Sequence, residues 1–444
     1  MKKRRLLIVI TIGLLIVWFT YINPILKAAT GYAAKYTCSH TFLSNIDHKN
    51  VTRALDFFPV NYVSLSVDQE KKTVRASFAG FIGAQVATYY NYGRNCGCFV
   101  GSANDLSNMP TTKETPPKNS NALWPRGNQL PDSIPANIDT AKLRTILVNK
   151  INDNPNIHAI VVAYDSLFFA ERYQTGVNAD TRLLGWSMTK SVGSALFGVL
   201  NQEQQLDVNQ AAGLKAWEQD DRKNITINNL LQMSSGLKWQ EKYSSLSDAT
   251  RMLYLKRNFA DFAIHAKKEI APNKKWYYSS GTSNILSKIF ANTISKDYST
   301  FPYRHLFDRI NMNSALIEWD NTCNYVFSSY CWATARDWTR FGLLYLNKGN
   351  WFGDQIFSSE WADYSVTPAA ASDGTYGAQI WLHQKDDIAA IPKDAYSMRG
   401  FGGQRVFVIP SKKLVITVLS GKEDRQLYKE FLDDLYVQVF DCFE

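Results

Sequence analysis

The stretch LGWSMTKSVGSALFGVL, residues 184–200, places a lysine at the start of a helix that has no polar stripe. From Val192 to Leu200 nearly every residue is apolar or small, and a helix that is apolar on all sides belongs in a protein interior. Ser187 and Lys190 come just before that run, one turn apart on the same helical face. The stretch therefore predicts a buried helix with a serine and a lysine side by side at its N-terminal end.

Two effects are expected to lower the pKa of Lys190. Burial disfavours the charged amine, and so does the positive end of the helix dipole. A neutral amine beside Ser187 can act as a general base that activates the hydroxyl, and unpaired N–H groups of the first helical turn can stabilise an oxyanion. The alternative is that Ser187 only caps the helix while Lys190 extends to solvent.

Ser-x-x-Lys spacing alone is a weak signal, because chance matches are expected in a chain of this length. The sequence contains a second match, Ser235 and Lys238, in SSGLK. That pair surrounds Gly236 at a predicted helix end, where a solvated lysine is expected. Ser187 and Lys190 differ from it because an apolar helix follows them directly.

The composition is that of a globular protein, with 45% hydrophobic and 20% charged residues among 444, a length that suggests two or three domains. The formal charge is +9, and the first few residues supply four of those units. The remaining +5 is too small to indicate a nucleic-acid partner.

An uncharged run, LLIVITIGLLIVWFTYINPIL at residues 6–26, follows the basic flank. This pattern fits a signal anchor or a cleaved signal peptide with its basic end in the cytoplasm. The length of the run, with Trp18 and Tyr21 at its outer edge, favours a retained membrane anchor. Four small residues keep cleavage open: Ala28, Ala29, Ala33 and Ala34. The body is predicted to be exported, on the periplasmic face of the inner membrane if anchored or in the periplasm if cleaved.

An exported chain with an even number of cysteines is expected to form disulfides. The six are Cys38, Cys96, Cys98, Cys323, Cys331 and Cys442. Cys323 and Cys331 flank a short Tyr-rich segment and are the predicted pair, which leaves three possible pairings of the other four. The CGC stretch lacks further Cys or His ligands, so we expect no metal site, and nothing predicts another cofactor.

The chain divides into a predicted membrane segment (1–30), a small accessory region (31–108), a linker (109–137) and a main domain (138–444). Three alternating stretches predict hairpins: VSLSVDQEKKTVRASFAG (63–80), AIVVAYDSLFFAERY (159–173) and RVFVIPSKKLVITVLS (405–420). Residues 206–345 are predicted to be mainly helical, with one helix stopped by Gly236, and a last helix is predicted over 425–439. Hairpins at both ends of the main domain predict one antiparallel sheet built from distant segments.

Six segments in this order resemble the serine β-lactamase and penicillin-binding-protein superfamily, and most of all its class C-like esterases and 6-aminohexanoate-dimer-type amide hydrolases. They are LLGWSMTKS (183–191), ITINNLLQMSSGLKW (225–239), WYYSSGTSNIL (276–286), TARDWTRFGLLYLNKGNW (334–351), YGAQIWL (376–382) and GFGGQRVFVIPSKKLVITV (400–418). The resemblance covers about residues 138–440. It implies an α/β (α+β) fold, with an antiparallel sheet flanked by helices plus a helical lobe.

The resemblance implies that Ser187 is a nucleophile and Lys190 its base, with Tyr278 as a second base and as the acid for the leaving group. Tyr277 is a rival for that role, but the register Tyr278-Ser279-Ser280-Gly281 favours Tyr278. A tyrosine with its ordinary pKa of about 10 is a poor base unless a cation stabilises the phenolate, and Lys190 is the candidate cation. If both groups are neutral, they can still pass a proton through hydrogen bonds.

The third motif departs from that of antibiotic-binding relatives. Phe401-Gly402-Gly403 stands where those proteins carry Lys-Thr-Gly, and Ser280 stands where Asn is frequent. The glycines let a substrate lie along the strand with the Gln404 N–H free for an oxyanion, or alternatively they form a bulge. Further candidates for substrate contact are Trp186 beside the serine and Phe401 as an apolar wall.

The missing lysine matters for the substrate, because a carboxylate needs a cation opposite it. An uncharged ester or amide is therefore expected, cleaved through an acyl-enzyme, with weak or no β-lactamase activity. Two alternatives remain: a cell-wall peptidase of the same fold, and a catalytically silent binding module. None of the six histidines lies in a recognisable motif, so a Ser-His-Asp triad is not indicated, although His383 could line the cleft.

Overall fold

The computed structural model describes residues 2–47, 51–94, 97–101, 121–131, 134–294, 297–383, 391–422 and 425–443. The N-terminus is one continuous helix, made of α1 (Lys2–Val17), a π-helical turn (Trp18–Ile22) and α2 (Asn23–Phe42). Its first half is exposed and apolar, and the helix is long and apolar enough to cross a membrane. Its second half is buried from Ala28 to His40, so α2 continues without a break past residue 30.

A four-stranded antiparallel sheet packs against α2. Its strands follow chain order: β1 (Ser64–Asp68), β2 (Thr73–Phe78), β3 (Ile82–Tyr90) and β4 (Gly97–Val100). The hairpin predicted over residues 63–80 is confirmed, with its turn between Asp68 and Thr73. The other face of α2 contacts the main domain, so this helix lies between the four-stranded sheet and the main domain.

The disulfide pattern differs from the predicted one. Cys38 on α2 is bonded to Cys98 on β4, one of the partners left open, whereas the predicted Cys323–Cys331 pair is wrong because both are free thiols. Cys331 lies within a strand opposite Ile317, while Cys323 lies in a tight turn closed by pairing of Trp319 with Tyr325. Closeness in sequence therefore does not bring these thiols together. Cys442 is also free, and Cys96 lies outside the described residues.

The main domain is built on a six-stranded antiparallel sheet of order β12-β13-β14-β15-β5-β6. Its strands are β5 (Ile157–Tyr164), β6 (Phe168–Tyr173), β12 (Trp381–Leu382), β13 (Tyr396–Gly400), β14 (Gln404–Ile409) and β15 (Leu414–Ser420). The prediction of a sheet from distant segments is confirmed, because β5 pairs with β15 across 250 residues of chain.

Every residue of β15 is buried, because helices cover both faces of the sheet. Leu414, Ile416 and Val418 face α3 (Thr140–Asp153) and α11 (Arg425–Phe440), while Val415 and Leu419 belong to the core on the opposite face. That second face carries α9 (Ala335–Leu346) and α4 (Met188–Gln202). The buried helix predicted after Lys190 is α4, in which Met188 to Leu200 are all buried.

The helical lobe contains short helices joined by long loops: α5 (Ile227–Leu231), α6 (Asp248–Leu255), α7 (Phe259–Ile264), α8 (Ser280–Ile294) and α10 (Ser359–Ser365). The helix predicted to run to Gly236 already ends at Leu231, because the chain adopts left-handed conformations at Met233 (φ 57°) and Gly236 (φ 75°). Small sheets complete the domain: β7 (Leu183–Leu184), β8 (Leu316–Ile317) and β9 (Cys331–Ala333), and the pair β10 (Asn350–Trp351) and β11 (Asp354–Gln355).

Candidate active site

The chain enters α4 through a tightly packed turn that leaves the Ser187 hydroxyl half-buried. A side chain at Gly185 would overlap the Trp338 ring, and one at Gly400 would overlap the Gly185 carbonyl. Trp186 is buried in a left-handed conformation (φ 47°), which is uncommon for a bulky side chain. Ser187 follows as the N-cap of α4 and remains only half-buried.

The amine of Lys190 is buried beside that hydroxyl. Its Nζ lies 3.0 Å from Ser187 Oγ, 3.1 Å from Ser280 Oγ and 2.8 Å from the Ser328 carbonyl. The side chain is 2% exposed, so the alternative in which it extends to solvent does not apply. Burial lowers the pKa of Lys190 to about 8, although the carboxylate of Glu241 acts in the opposite direction. The sequence prediction of a lowered pKa is confirmed.

Tyr278 is the tyrosine that the fold brings to this pair. The Lys190 Nζ lies 4.8 Å from the centre of its ring. Burial raises the pKa of Tyr278 above its ordinary value, so the phenol is neutral, although Ser187 is close enough to its hydroxyl to act on the pKa in the opposite direction. Burial therefore favours the alternative of proton transfer between neutral groups over a phenolate. Tyr277 is exposed and stacks instead under Lys275.

Sequence reasoning missed the carboxylate that organises this cluster. Glu241 accepts hydrogen bonds from the Trp239 indole (2.6 Å), the Tyr243 hydroxyl (2.9 Å) and the Ser280 backbone N–H (2.9 Å). It also accepts one from the Ser280 hydroxyl, which in turn contacts Lys190. The only available signal was an acidic residue two positions after Trp239, in WQEKY.

Phe401-Gly402-Gly403 forms the turn between β13 and β14 rather than a strand or a bulge. The Phe401 ring lies 5.6 Å from Trp186 and 5.5 Å from Tyr243, measured between ring centres. Gly403 packs on Tyr428.

The Gln404 side-chain amide, in contrast, donates to the carbonyls of Phe401, Gly402 and Ser420. Phe401 thus lies beside Trp186 and Tyr243, whereas Gly403 and the Gln404 side chain pack behind the turn. The expected oxyanion donor is the Gln404 backbone N–H, which these side-chain hydrogen bonds do not involve, so that role stays a prediction.

The sequence argument that the cleft lacks a cation overlooked Arg399, which lies two residues before Phe401. Its guanidinium is 5.5 Å from the Trp381 ring centre, and Trp381 is 5.3 Å from the ring of Tyr278. The Arg399 Nε donates to Ser397 Oγ (2.8 Å), which fixes the side chain on this face of β13.

The described histidines have other surroundings. His40 packs on Tyr36, and His305 contacts Glu203. His383 lies just past β12, where its backbone N–H donates to Ala395. His48 lies outside the described residues.

Comparisons with known proteins agree with this architecture. The β-lactamase family model matches residues 157–438. Among similar solved structures is a protein from Bacillus anthracis assigned as a 6-aminohexanoate-dimer hydrolase, with 23% identity over 66% of this chain and 81% of that one and a TM-score of 0.58. A penicillin-binding protein from Bacillus halodurans has 13% identity over 65% of this chain and 99% of that one, with a TM-score of 0.55. A family VIII carboxylesterase has 13% identity over 71% of this chain and 100% of that one, with a TM-score of 0.54. A comparison with curated proteins found no match.

At these identities the structural neighbours establish the fold, while the family match covers well over half of the chain. The match spans the six-stranded sheet, the buried helix with Ser187 and Lys190, and the loop that carries Tyr278. The chain belongs to the β-lactamase family of serine hydrolases.

Proposed function

We propose that this protein is an exported, membrane-anchored serine hydrolase that cleaves an ester or amide through an acyl-enzyme on Ser187, with Lys190 and Tyr278 as the acid–base pair. One observation carries the proposal: a fully buried lysine amine with a lowered pKa lies 3.0 Å from a half-buried serine hydroxyl. A structural lysine would instead be paired with an acid or reach solvent.

In the first step the Ser187 oxygen attacks the substrate carbonyl carbon, and its proton passes to the neutral Lys190 amine. The carbonyl π electrons move onto oxygen and form an oxyanion. We assign its two donors to the backbone N–H groups of Ser187 and Gln404. Ser187 is supported as a donor by its place at the N-terminus of α4, and the close packing of Gly400 on Gly185 brings the turn between β13 and β14 next to Ser187.

Tyr278 completes the cycle as a relay. Its neutral hydroxyl donates its proton to the leaving alcohol or amine as the C–O or C–N bond breaks, and it takes a proton in exchange from the protonated Lys190 amine. A water molecule then enters the vacated position and gives a proton to the same pair. Its attack on the acyl-enzyme releases the acid and restores Ser187.

Aromatic rings surround the nucleophile and favour an apolar acyl group. Phe401 contacts the rings of both Trp186 and Tyr243, and Tyr278 contacts the ring of Trp381. Phe401 is 45% exposed, so it offers an apolar surface at the mouth. An uncharged ester or amide with an apolar acyl chain suits this lining.

A substrate that carries a carboxylate is the second candidate, as in the peptidase alternative, because Arg399 lies one ring away from Tyr278. A guanidinium pairs well with a carboxylate. A substrate carboxylate separated from the scissile bond by about the distance from Tyr278 across Trp381 would reach the Arg399 guanidinium.

Retention of the membrane segment is supported by the packing of α2. Cleavage after any of Ala28, Ala29, Ala33 or Ala34 would cut inside a buried helix. Just beyond, Lys35 forms a buried ion pair with Glu318 of the main domain. Removing the segment up to Ala34 would also remove the contact of Tyr32 with Trp186.

Labelling with a fluorophosphonate probe, followed by peptide mapping, tests the proposal. The label is expected on Ser187 and should disappear in Ser187→Ala, with turnover of a chromogenic ester lost and the melting temperature nearly unchanged. Ser235→Ala, which changes the serine of the other Ser-x-x-Lys pair, is the matched control and should label normally. Equal turnover in Ser187→Ala would reject the assignment.

A further inference from the structure

Three large aromatic side chains of the accessory region are exposed to an unusual extent: Phe58 (77%), Tyr62 (68%) and Phe81 (72%). Phe58 and Tyr62 contact each other edge to face. Exposed apolar groups that gather at one place mark an interaction surface. Their position on the fold indicates what that surface meets.

All three lie at the same end of the four-stranded sheet. Strand β1 begins at Ser64, which pairs with Ser77 near the end of β2, so Tyr62 lies at that end. The turn that carries Phe81 follows directly, because Phe78 pairs with Ile82. The opposite end of the sheet carries the polar turn between Asp68 and Thr73.

The exposed apolar helix leaves the protein at this same end. A Cβ atom placed on Gly83, two residues after Phe81, would lie 2.9 Å from Leu26 Cβ. The Thr30 hydroxyl also donates to the Gly83 carbonyl. At the far end, Phe42 contacts Tyr89, so α2 and β3 run side by side in one direction. Residues 6–26 therefore project from the aromatic end of the sheet.

We propose that Phe58, Tyr62 and Phe81 form an aromatic rim that docks onto the outer surface of the membrane in which residues 6–26 are anchored. This inference rests on the anchor in the proposed function. Aromatic rings favour the headgroup region, where one side is apolar and the other is wet.

The charges at this end suit an anionic lipid surface. Lys27 is exposed next to Leu26, and the Arg75 guanidinium contacts the Gly80 carbonyl at the Phe81 turn. The nearby acid, Asp56, is already paired with Lys422.

Docking would hold the catalytic cleft at a short, fixed height above the lipid. Tyr32 and Tyr36 of α2 stack against Trp186, the residue before Ser187. Leu26 to Tyr32 is six residues, or about 9 Å along the helix at 1.5 Å per residue. The substrate class that follows is an amphiphilic ester or amide presented at the membrane surface.

The docking test uses the full chain in nanodiscs of phosphatidylethanolamine and phosphatidylglycerol. A nitroxide spin label is attached at Phe81→Cys and, as the matched control at the other end of the sheet, at Glu70→Cys, with the signal of the unsubstituted chain subtracted. The label at 81 is expected to collide more with lipid-soluble oxygen than with a water-soluble nickel chelate, and the label at 70 the reverse.

Equal water accessibility at both positions would overturn the docking and leave the hydrolase intact, because the readout does not use turnover. Failure of the chain to co-elute with nanodiscs would overturn the anchor and the docking together.

The substrate class is tested with Phe81→Glu. Hydrolysis of a long-chain ester in the nanodisc bilayer should fall several-fold, while hydrolysis of a short-chain, water-soluble ester stays unchanged. Phe352→Glu, at another exposed phenylalanine (47%), should change neither rate. An unchanged ratio of the two rates in Phe81→Glu would contradict the inference.

Discussion

Two Ser-x-x-Lys pairs with the same spacing have opposite surroundings in this protein. Ser187 and Lys190 lie at the start of a buried helix, where the amine is 2% exposed and contacts the hydroxyl at 3.0 Å. Ser235 and Lys238 lie around a left-handed glycine, and Lys238 points to solvent. The Ser235 hydroxyl instead accepts the Leu237 N–H. The Ser-x-x-Lys spacing alone therefore does not make a serine reactive. The lysine must also be buried beside the serine hydroxyl on one face of a helix.

The largest expected difference between the pairs comes from removing each lysine. Lys190→Ala should lower kcat/KM for a chromogenic ester by about 10²–10⁴-fold, the usual contribution of a general base. Lys238→Ala should leave kcat/KM unchanged, because its amine is solvated. Steady-state kinetics of both variants, with melting temperatures as the folding control, test this. A similar loss in both would mean that the buried pair has no special role.

The two adjacent tyrosines extend the comparison. Tyr278→Phe removes the proposed acid–base hydroxyl near Ser187 and should reduce kcat by about 10²-fold or more, in the range of an acid–base group. Tyr277→Phe, at the exposed neighbour, should have no measurable effect. A leaving group of low pKa needs little protonation, so an activated ester should rescue Tyr278→Phe in part. Loss of the same size for all leaving groups would argue against the proton relay.

The pH dependence reports the buried amine directly. Only the neutral form of Lys190 accepts a proton, so kcat/KM should fall about tenfold per pH unit below its pKa of about 8 and level off above it. Glu241 favours the charged amine, so Glu241→Gln should move the midpoint to lower pH. Asp248→Asn, at an acid that caps the Gln240 N–H, is the control and should leave the midpoint in place. An unmoved midpoint in Glu241→Gln would mean that the carboxylate does not act on Lys190.

The smallest expected effect concerns substrate charge. Arg399→Met should raise KM for an amide with a terminal carboxylate by about tenfold, since each tenfold corresponds to about 1.4 kcal/mol, a typical charged hydrogen bond. KM for the matching amide without the carboxylate should not change. Equal KM values for the two amides in the unsubstituted protein would remove the carboxylate-bearing candidate.

Much of the fold could be predicted from local patterns. The three hairpins and the last helix follow alternation and helical periodicity, which depend on neighbouring residues alone. The helix predicted to end at Gly236 was too long. The chain already turns left-handed at Met233, and a methionine gives no indication of such a turn in the sequence. Cysteine pairing failed for a related reason: Cys323 and Cys331 are near in sequence, but strand geometry separates them.

The candidate site could be predicted only in part. Ser187, Lys190 and Tyr278 follow from spacing and resemblance, and the fold brings them into contact. Glu241 and Arg399 were missed, because their roles depend on which way a loop or strand turns its side chains. A residue two positions along a strand lies on the same face, but no sequence pattern says which face meets the cleft.

The sequence by itself determined that a lysine would lie at the mouth of an apolar helix, because the helical repeat fixes which side chains share a face whatever surrounds them. Only the tertiary structure decided the protonation of Tyr278, the carboxylate behind Lys190 and the packing of α2 against Trp186. Those features arise where segments far apart in the chain exclude water together, and desolvation is a property of the assembled neighbourhood rather than of any one residue.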